Sequence, residues 1–325
     1  MSSFMKKSNS LWIFVLATAS ILSIILSALL GSVKVSPADI FKSPIILYIR
    51  LPRVIMAFVV GASLSIVGLT FQSLLKNPLV DPYLIGVSSG ASFGAALSLT
   101  LAESFGYFWI TMAPYMAFVF GFLAAFVAII FSRKGKRIST TELILAGVSM
   151  NMIFSSATVF LLYFFRRSSQ GYSVWIFGSL SGVVWKDILF PFIVFVLYLI
   201  FAYTQSARLD AFSLGEDFAK IVGVETESLK LALFLSGVFL TATLVSEVGS
   251  IGFVGLIVPH MVRMIFGPSH RHSVLYSSLM GGSFLVLVDL FSRIVAPPLE
   301  VPIGIVTSFV GVPVFLYIMK SGGKR

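Results

Sequence analysis

The sequence has 325 residues, of which 58% are hydrophobic, 14% aromatic and only 11% charged, and its mean hydropathy is +1.01. A soluble globular domain carries about 25% charged residues, so this composition excludes that class and points to a membrane protein crossed many times. The net charge of +10 is no nucleic-acid signal here, because the basic residues flank apolar runs, where they set topology and meet anionic head groups.

Lys6 and Lys7 precede an uncharged run over residues 11–33. The run is longer than a signal-peptide core and lacks a small-residue cleavage site, so an uncleaved first span is expected. Further spans are expected at 54–75, entered through Arg50-Leu51-Pro52-Arg53, and at 83–102, 107–132, 143–165 and 188–207. A polar stretch over 209–224 follows, and then come spans at 231–246, 251–262, 273–292 and 301–319. The runs are continuous rather than alternating, which favours helices over a barrel. The eighth run is too short to cross without tilt or flanking loop. Cysteine is absent, so disulfides and thiolate metal sites are excluded and the compartment is not readable from redox chemistry.

With both termini in the cytoplasm, fifteen lysines and arginines fall on the cytoplasmic side and eight outside, the 133–137 cluster being the strongest vote. That topology places 209–224 in the cytoplasm. No extramembrane segment is long enough to fold alone, so residues 1–325 are expected to form a single transmembrane domain. Gly61 to Pro82 and Gly237 to Pro259 are separated by similar lengths, a weak hint of an inverted repeat.

The polar stretch, LDAFSLGEDFAKIVGV, keeps an apolar stripe of Phe212, Leu214, Phe218, Ile221 and Val222, and Gly215 sits as a hinge between two short helices. A polar segment with such a stripe has something to dock on; a solvated loop is the plain alternative. Asn77-Pro78 and Asp81-Pro82 force irregular backbone after the second span, and Pro259 is expected to break the run over 249–263. Arg50, Arg53 and Arg293, with few acidic neighbours in sequence, would make a basic rim on the outer side if they gather, or else snorkel singly to head groups. Asp289 lies one turn before Arg293 and suits a pair with it. No phosphate-binding loop is present: Gly322-Gly323-Lys324-Arg325 lacks the spacing and the hydroxyl. ATP hydrolysis is therefore not expected in this chain, and His260, His270 and His272 are read as ordinary interface and loop residues rather than metal ligands.

Taken together, the residues resemble, over essentially the whole length, the FecCD-type permeases of ABC importers for iron–siderophore, haem and vitamin B12. The resemblance rests on RLPR at 50–53, the block over 61–91, LAG at 145–147, W-x-x-GSL at 175–180, DAFSLGEDFAKIVGV at 210–224, IGFVGLIVPHMVR at 251–263 and PIGIVTSFVGVPVF at 302–315. It implies an all-α polytopic fold like that of the vitamin B12 importer, with about ten transmembrane helices. It also implies a homodimer with the pathway on its axis, two ATP-binding cassette subunits and an extracytoplasmic substrate-binding protein, in a bacterial or archaeal cytoplasmic membrane. Neither cofactor nor metal is implied for this subunit, since ATP and magnesium would sit on the partner, and no nucleic acid is implied. The resemblance assigns ATPase coupling to Asp210, Ala211, Leu214, Gly215, Glu216, Ala219 and Gly223. It assigns binding-protein docking to Arg50, Arg53 and Arg293, and a cytoplasmic gate to Asn77, Leu79, Thr140 and Thr141. Met150, Asn151 and Ser155 are expected to line the pathway. The cargo implied is an iron chelate, a siderophore first, with haem, cobalamin or molybdate as further members. The competing class is an ion-coupled secondary transporter or channel, which would need a deep acidic residue such as Glu247 or Asp289.

Overall fold

The computed structural model describes residues 2–31, 43–135, 137–165, 176–297 and 299–322. Its helices are α1 (Ser2–Leu29), α2 (Leu51–Leu74), α3 (Val87–Phe105), α4 (Phe108–Thr111), α5 (Ala113–Phe131), α6 (Thr140–Phe164), α7 (Trp185–Thr204), α8 (Ser206–Leu214), α9 (Glu216–Ile221), α10 (Thr226–Val248), α11 (Val254–Phe266), α12 (His270–Ile294) and α13 (Ile303–Gly322). A π-helical turn, Ile45–Arg50, runs straight into α2, and a 3-10 helix, Pro82–Ile85, precedes α3. The chain is thus an all-α polytopic membrane protein, with one small exception among the described residues. Two-residue strands β1 (Arg133–Lys134) and β2 (Arg137–Ile138) pair antiparallel at the basic cluster, where Gly135 adopts a left-handed φ of 66°.

Each of the ten expected spans coincides with one principal helix, and among the described residues seven helical runs are long and apolar enough to cross a membrane. The other three are α3, α11 and α13. In α3 glycine, alanine and serine lower the hydropathy while allowing close helix approach. Helix α11 has 13 residues, and in α13 the apolar run of the described residues is Ile303–Leu316. Pro259 does not break α11, which continues through it; the irregular backbone lies earlier, at Phe253, whose φ is 70°.

The chain divides into two compact units. The first comprises Met1–Thr70, Leu180–Asp210 and Phe253–Arg325. Within it α12 packs against α1, α7, α11 and α13, and Ser20 on α1 bonds Ser283 at 2.8 Å. Gly61 on α2 meets the backbone of Gly281, where an added Cβ would stand 2.2 Å from the Gly281 carbonyl oxygen. Gly68 is tighter still: its Cβ would stand 1.9 Å from the Gly255 carbonyl oxygen. Pro259, having no N–H, cannot donate to that same carbonyl four residues earlier. Thr70 and Tyr198 share a buried 2.6 Å hydrogen bond.

The second unit comprises Phe71–Ser179 and Ala211–Gly252. Its centre is α3, packed on α5 and α6, with α10 against α5. Ala91, Ala95, Ala117 and Val245 form a fully buried small-residue core. Gly90 and Gly94 abut the backbone of α5 at Phe120 and Met116, and Gly147 of α6 abuts Leu84. Small side chains thus let backbone approach backbone, which is the way membrane helices associate where lipid supplies little hydrophobic drive.

Candidate functional site

The segment over 209–224 folds as the sequence suggests, into α8 and α9 separated by Gly215. Gly215 has φ 144° and ψ 145°, a region that side-chain-bearing residues avoid. Glu216 and Asp217 in the first turn of α9 and Lys220 in the last complement its dipole. Gly223, at φ 86°, ends α9: its N–H reaches Lys220 O at 3.0 Å and the Val224 N–H reaches Ala219 O at 2.9 Å. That is the glycine-terminated double bond pattern of helix ends.

The apolar stripe splits into an anchor and a display. Phe212 is buried, with its ring flanked by two ammonium groups, Lys76 at 5.3 Å and Lys230 at 5.5 Å. Leu209 and Ala219 are also buried. Leu214, Phe218, Ile221 and Val222 remain exposed, Ile221 by 83%. Asp210 is turned inward, toward α12: it accepts the His270 backbone N–H at 2.8 Å, and His270 Nδ1 lies 2.7 Å from the same oxygen. It thus serves the N-terminus of α12. Burial alone would raise its carboxyl, but the bonds from His270 outweigh that and hold it below its ordinary value.

Beneath α9 lies a cleft of about 390 Å³ lined by Lys134, Arg137, Ile138, Ser139, Glu216, Asp217, Lys220, Glu227 and Lys230. Glu216 Oε2 is 2.9 Å from Lys230 Nζ and its Oε1 is 3.0 Å from Lys220 Nζ. Lys230 Nζ also lies 3.0 Å from Glu227 Oε1, while the Ile138 N–H donates to Glu227 Oε2 at 2.7 Å. Burial works against ionised Glu216, yet the two lysines more than offset it and hold its carboxyl at about 2.

The gate candidates all belong to the second unit. The Asn77 side chain accepts the Leu79 N–H at 2.9 Å in a turn that starts at Lys76, itself at φ 49°. Asp81 accepts the Tyr83 N–H at 2.9 Å and opens the 3-10 helix. Thr140 and Thr141 open α6, whose N-cap Ser139 accepts the Glu142 N–H at 3.4 Å. Leu79 is exposed, Thr140 half-buried and Thr141 exposed. Of the expected lining residues, Asn151 is engaged inside the unit: Ser89 donates to its Oδ1 at 2.7 Å and its Nδ2 donates to Leu84 O at 3.4 Å. Met150 is half-buried beside Gly86, and Ser155 is exposed.

The three arginines do gather, but not as an exposed rim. Arg50, Arg53 and Arg293 are all buried, and Asp289 and Glu300, far from it in sequence, supply carboxylates to Arg53. Arg53 Nε bonds Asp289 at 2.8 Å and its Nη1 bonds Glu300 at 2.7 Å. Arg293 Nε bonds Asp289 at 3.0 Å, as its spacing in α12 suggests. Arg50 donates to Leu29 O at 2.8 Å and Arg293 to Ser27 O at 2.9 Å. Two cations thereby satisfy carbonyls at the C-terminus of α1, where cations are favoured. Lys34, Lys42, Lys136, Arg166, Arg167, Trp175, Lys324 and Arg325 lie outside the described residues.

Lys230, Glu227 and Glu300 carry no weight in the sequence reading beyond topology. The Glu227–Lys230 spacing of three at a helix start is a usable signal for the first two; Glu300 has none, because its partner is far away in sequence.

Comparison with known proteins agrees with this architecture. The FecCD transport family model matches residues 19–321. An uncharacterised ABC transporter permease protein of Bacillus subtilis is 39% identical over 88% of this chain and 82% of its own. The cobalamin import system permease protein of Halobacterium salinarum is 37% identical over 85% and 73%. A solved inward-facing conformation of a metal-chelate-type ABC transporter superposes with a TM-score of 0.84 at 30% identity, covering 96% of this chain and 99% of that one.

Proposed function

Because the chain belongs to the FecCD transport family of ABC permeases, we propose that it is the membrane subunit of a binding-protein-dependent importer, driven by ATP hydrolysis on a partner. The observation that carries this reading is the display on 209–224. Leu214, Phe218 and Ile221 are exposed on a short charged segment whose backbone is shaped by Gly215 and Gly223. Exposed apolar groups on a rigid polar mount suit a protein partner. In our reading that partner is an ATP-binding cassette subunit on the cytoplasmic side, where both termini also lie.

ATP-driven closure of two such subunits would push α8 and α9 and shift the gate segments at Asn77, Leu79, Thr140 and Thr141, giving alternating access along a dimer axis. Met150 and Ser155 are our choice for the lining, with Asn151 bracing α6 against α3. We place binding-protein docking at the Arg50, Arg53 and Arg293 end. There the arginines shape the surface from beneath, and Glu300 is the exposed charge. Cobalamin transport by the Halobacterium relative and metal-chelate transport by the structural neighbour support a bulky chelate as cargo, and we favour a ferric siderophore. The ion-coupled alternative loses its best deep acid, since Asp289 is held between two guanidiniums.

The test is affinity purification of the chain with its ATPase. Leu214→Glu and Ile221→Glu, both at exposed positions, should abolish co-purification and leave membrane insertion intact. Full recovery of the ATPase with both variants would overturn the docking assignment.

A further inference from the structure

This inference rests on the docking reading above and concerns how motion leaves α9. Lys230 lies in the first turns of α10 with its side chain 7% exposed. An ammonium so enclosed is held by its partners, and it has three. Glu216, the first residue of α9, is 2.9 Å away; Glu227 is 3.0 Å away; the Phe212 ring of α8 lies 5.5 Å from it, centroid to nitrogen. Each partner leads on. The second oxygen of Glu227 accepts the backbone N–H of Ile138 at 2.7 Å, two residues before Thr140. Phe212 holds Lys76 on its ring at 5.3 Å, one residue before Asn77. All these groups belong to the second compact unit.

We infer that Lys230 is a positioning residue: it ties α8 and α9 to the two segments that carry Asn77-Leu79 and Thr140-Thr141, so that they move as one body. Buried hydrogen-bonded charges suit this role because no loose arrangement satisfies them. The exposed pairs nearby do not share the property: the Lys134 side chain, bonded to Glu142, is 71% exposed. Contiguity alone does not establish transmission, so the experiment must read displacement.

The chain has no cysteine, so Asp217→Cys and Thr141→Cys can carry spin labels in the full-length protein, alone and with its ATPase bound. The distance distribution between the labels should be narrow, and unchanged by ATP in the complex. Lys230→Met should at least double its width with the ATPase still co-purifying, and Lys230→Arg should restore it. Glu227→Gln, which removes the charge from the arm joining Lys230 to Ile138 and leaves Glu216 and Phe212 in place, should broaden it too, and it decides the matter if Lys230→Met does not fold. A distribution as narrow as the parent's in the folded variants would overturn the inference, as would loss of the ATPase, which would make Lys230 part of the docking surface. Failure of the parent protein to bind the ATPase would sink the docking reading, while the label distance in the isolated chain still tests the tie.

Discussion

Asp289→Asn isolates the charge that holds the arginine cluster together. Asp289 is fully buried and accepts from Arg53 at 2.8 Å and from Arg293 at 3.0 Å. Asparagine keeps the shape and one carbonyl oxygen but removes the charge. Arg53 would still have Glu300, whereas Arg293 would keep only neutral partners at Ser27 and Leu30. Removing one partner of a buried pair costs about 3–5 kcal/mol, because the remaining charge is left buried and uncompensated. Glu300→Gln is the internal control. Its side chain is 37% exposed, and pairs at that level of exposure contribute about 0–1 kcal/mol. Denaturant unfolding in detergent, followed by tryptophan fluorescence, should therefore separate the two variants clearly in midpoint. Equal midpoints would refute the idea that buried charge pairing organises this end of the first unit. The same variant bears on mechanism, since an ion-coupled carrier using Asp289 would lose its coupling ion along with the charge.

Gly68→Ala should destabilise at the upper end of the range of about 1–3 kcal/mol for overpacking, because the obstructing atom is the Gly255 carbonyl oxygen of the backbone rather than a movable side chain; the same unfolding assay reads it, and a neutral result would contradict the close approach of α2 to α11. Gly215→Ala meets no close side chain and should instead show backbone strain of about 1–3 kcal/mol, read as weakened ATPase co-purification; undiminished recovery would count against a fixed hinge. Glu216 has a folded-state carboxyl at about 2 against an ordinary 4.5, so the stability it contributes is fully present above 4.5 and is lost as pH falls toward 2. A carboxyl infrared band assigned by difference against Glu216→Gln should accordingly stay ionised at about pH 4, and protonation near the ordinary value would show that the Lys220 and Lys230 contacts do not persist.

The sequence carries the helices, the two short segments around Gly215 and the turn at Asn77, because each depends on local periodicity or on residues with a fixed backbone preference. Gly215 and Gly223 announce their positive φ by being glycine; Asp81 and Asn77 announce their turns by preceding proline. What hides is whatever depends on distant partners. Arg53 reads as an unpartnered cation until the fold brings Asp289 and Glu300 to it. Phe212 reads as one more apolar residue of a stripe until Lys76 and Lys230 close on its ring. Pro259 reads as a helix breaker, yet α11 continues through it, with the Gly255 carbonyl turned to the close approach of Gly68. The division into two compact units crosses the chain inside α2 and α8 and again after residues 179 and 252, and it too depends on distant contacts.

The central claim is that transport by this chain is driven by an ATPase docked on 209–224. Uptake of cyanocobalamin and of a ferric siderophore should be measured in proteoliposomes holding the chain, with and without its ATPase, its binding protein and ATP. Accumulation of one of them that requires all three, survives ionophores that collapse proton and sodium gradients, and disappears with Leu214→Glu is the predicted result. Accumulation that proceeds without the ATPase and collapses with the ion gradient would contradict it.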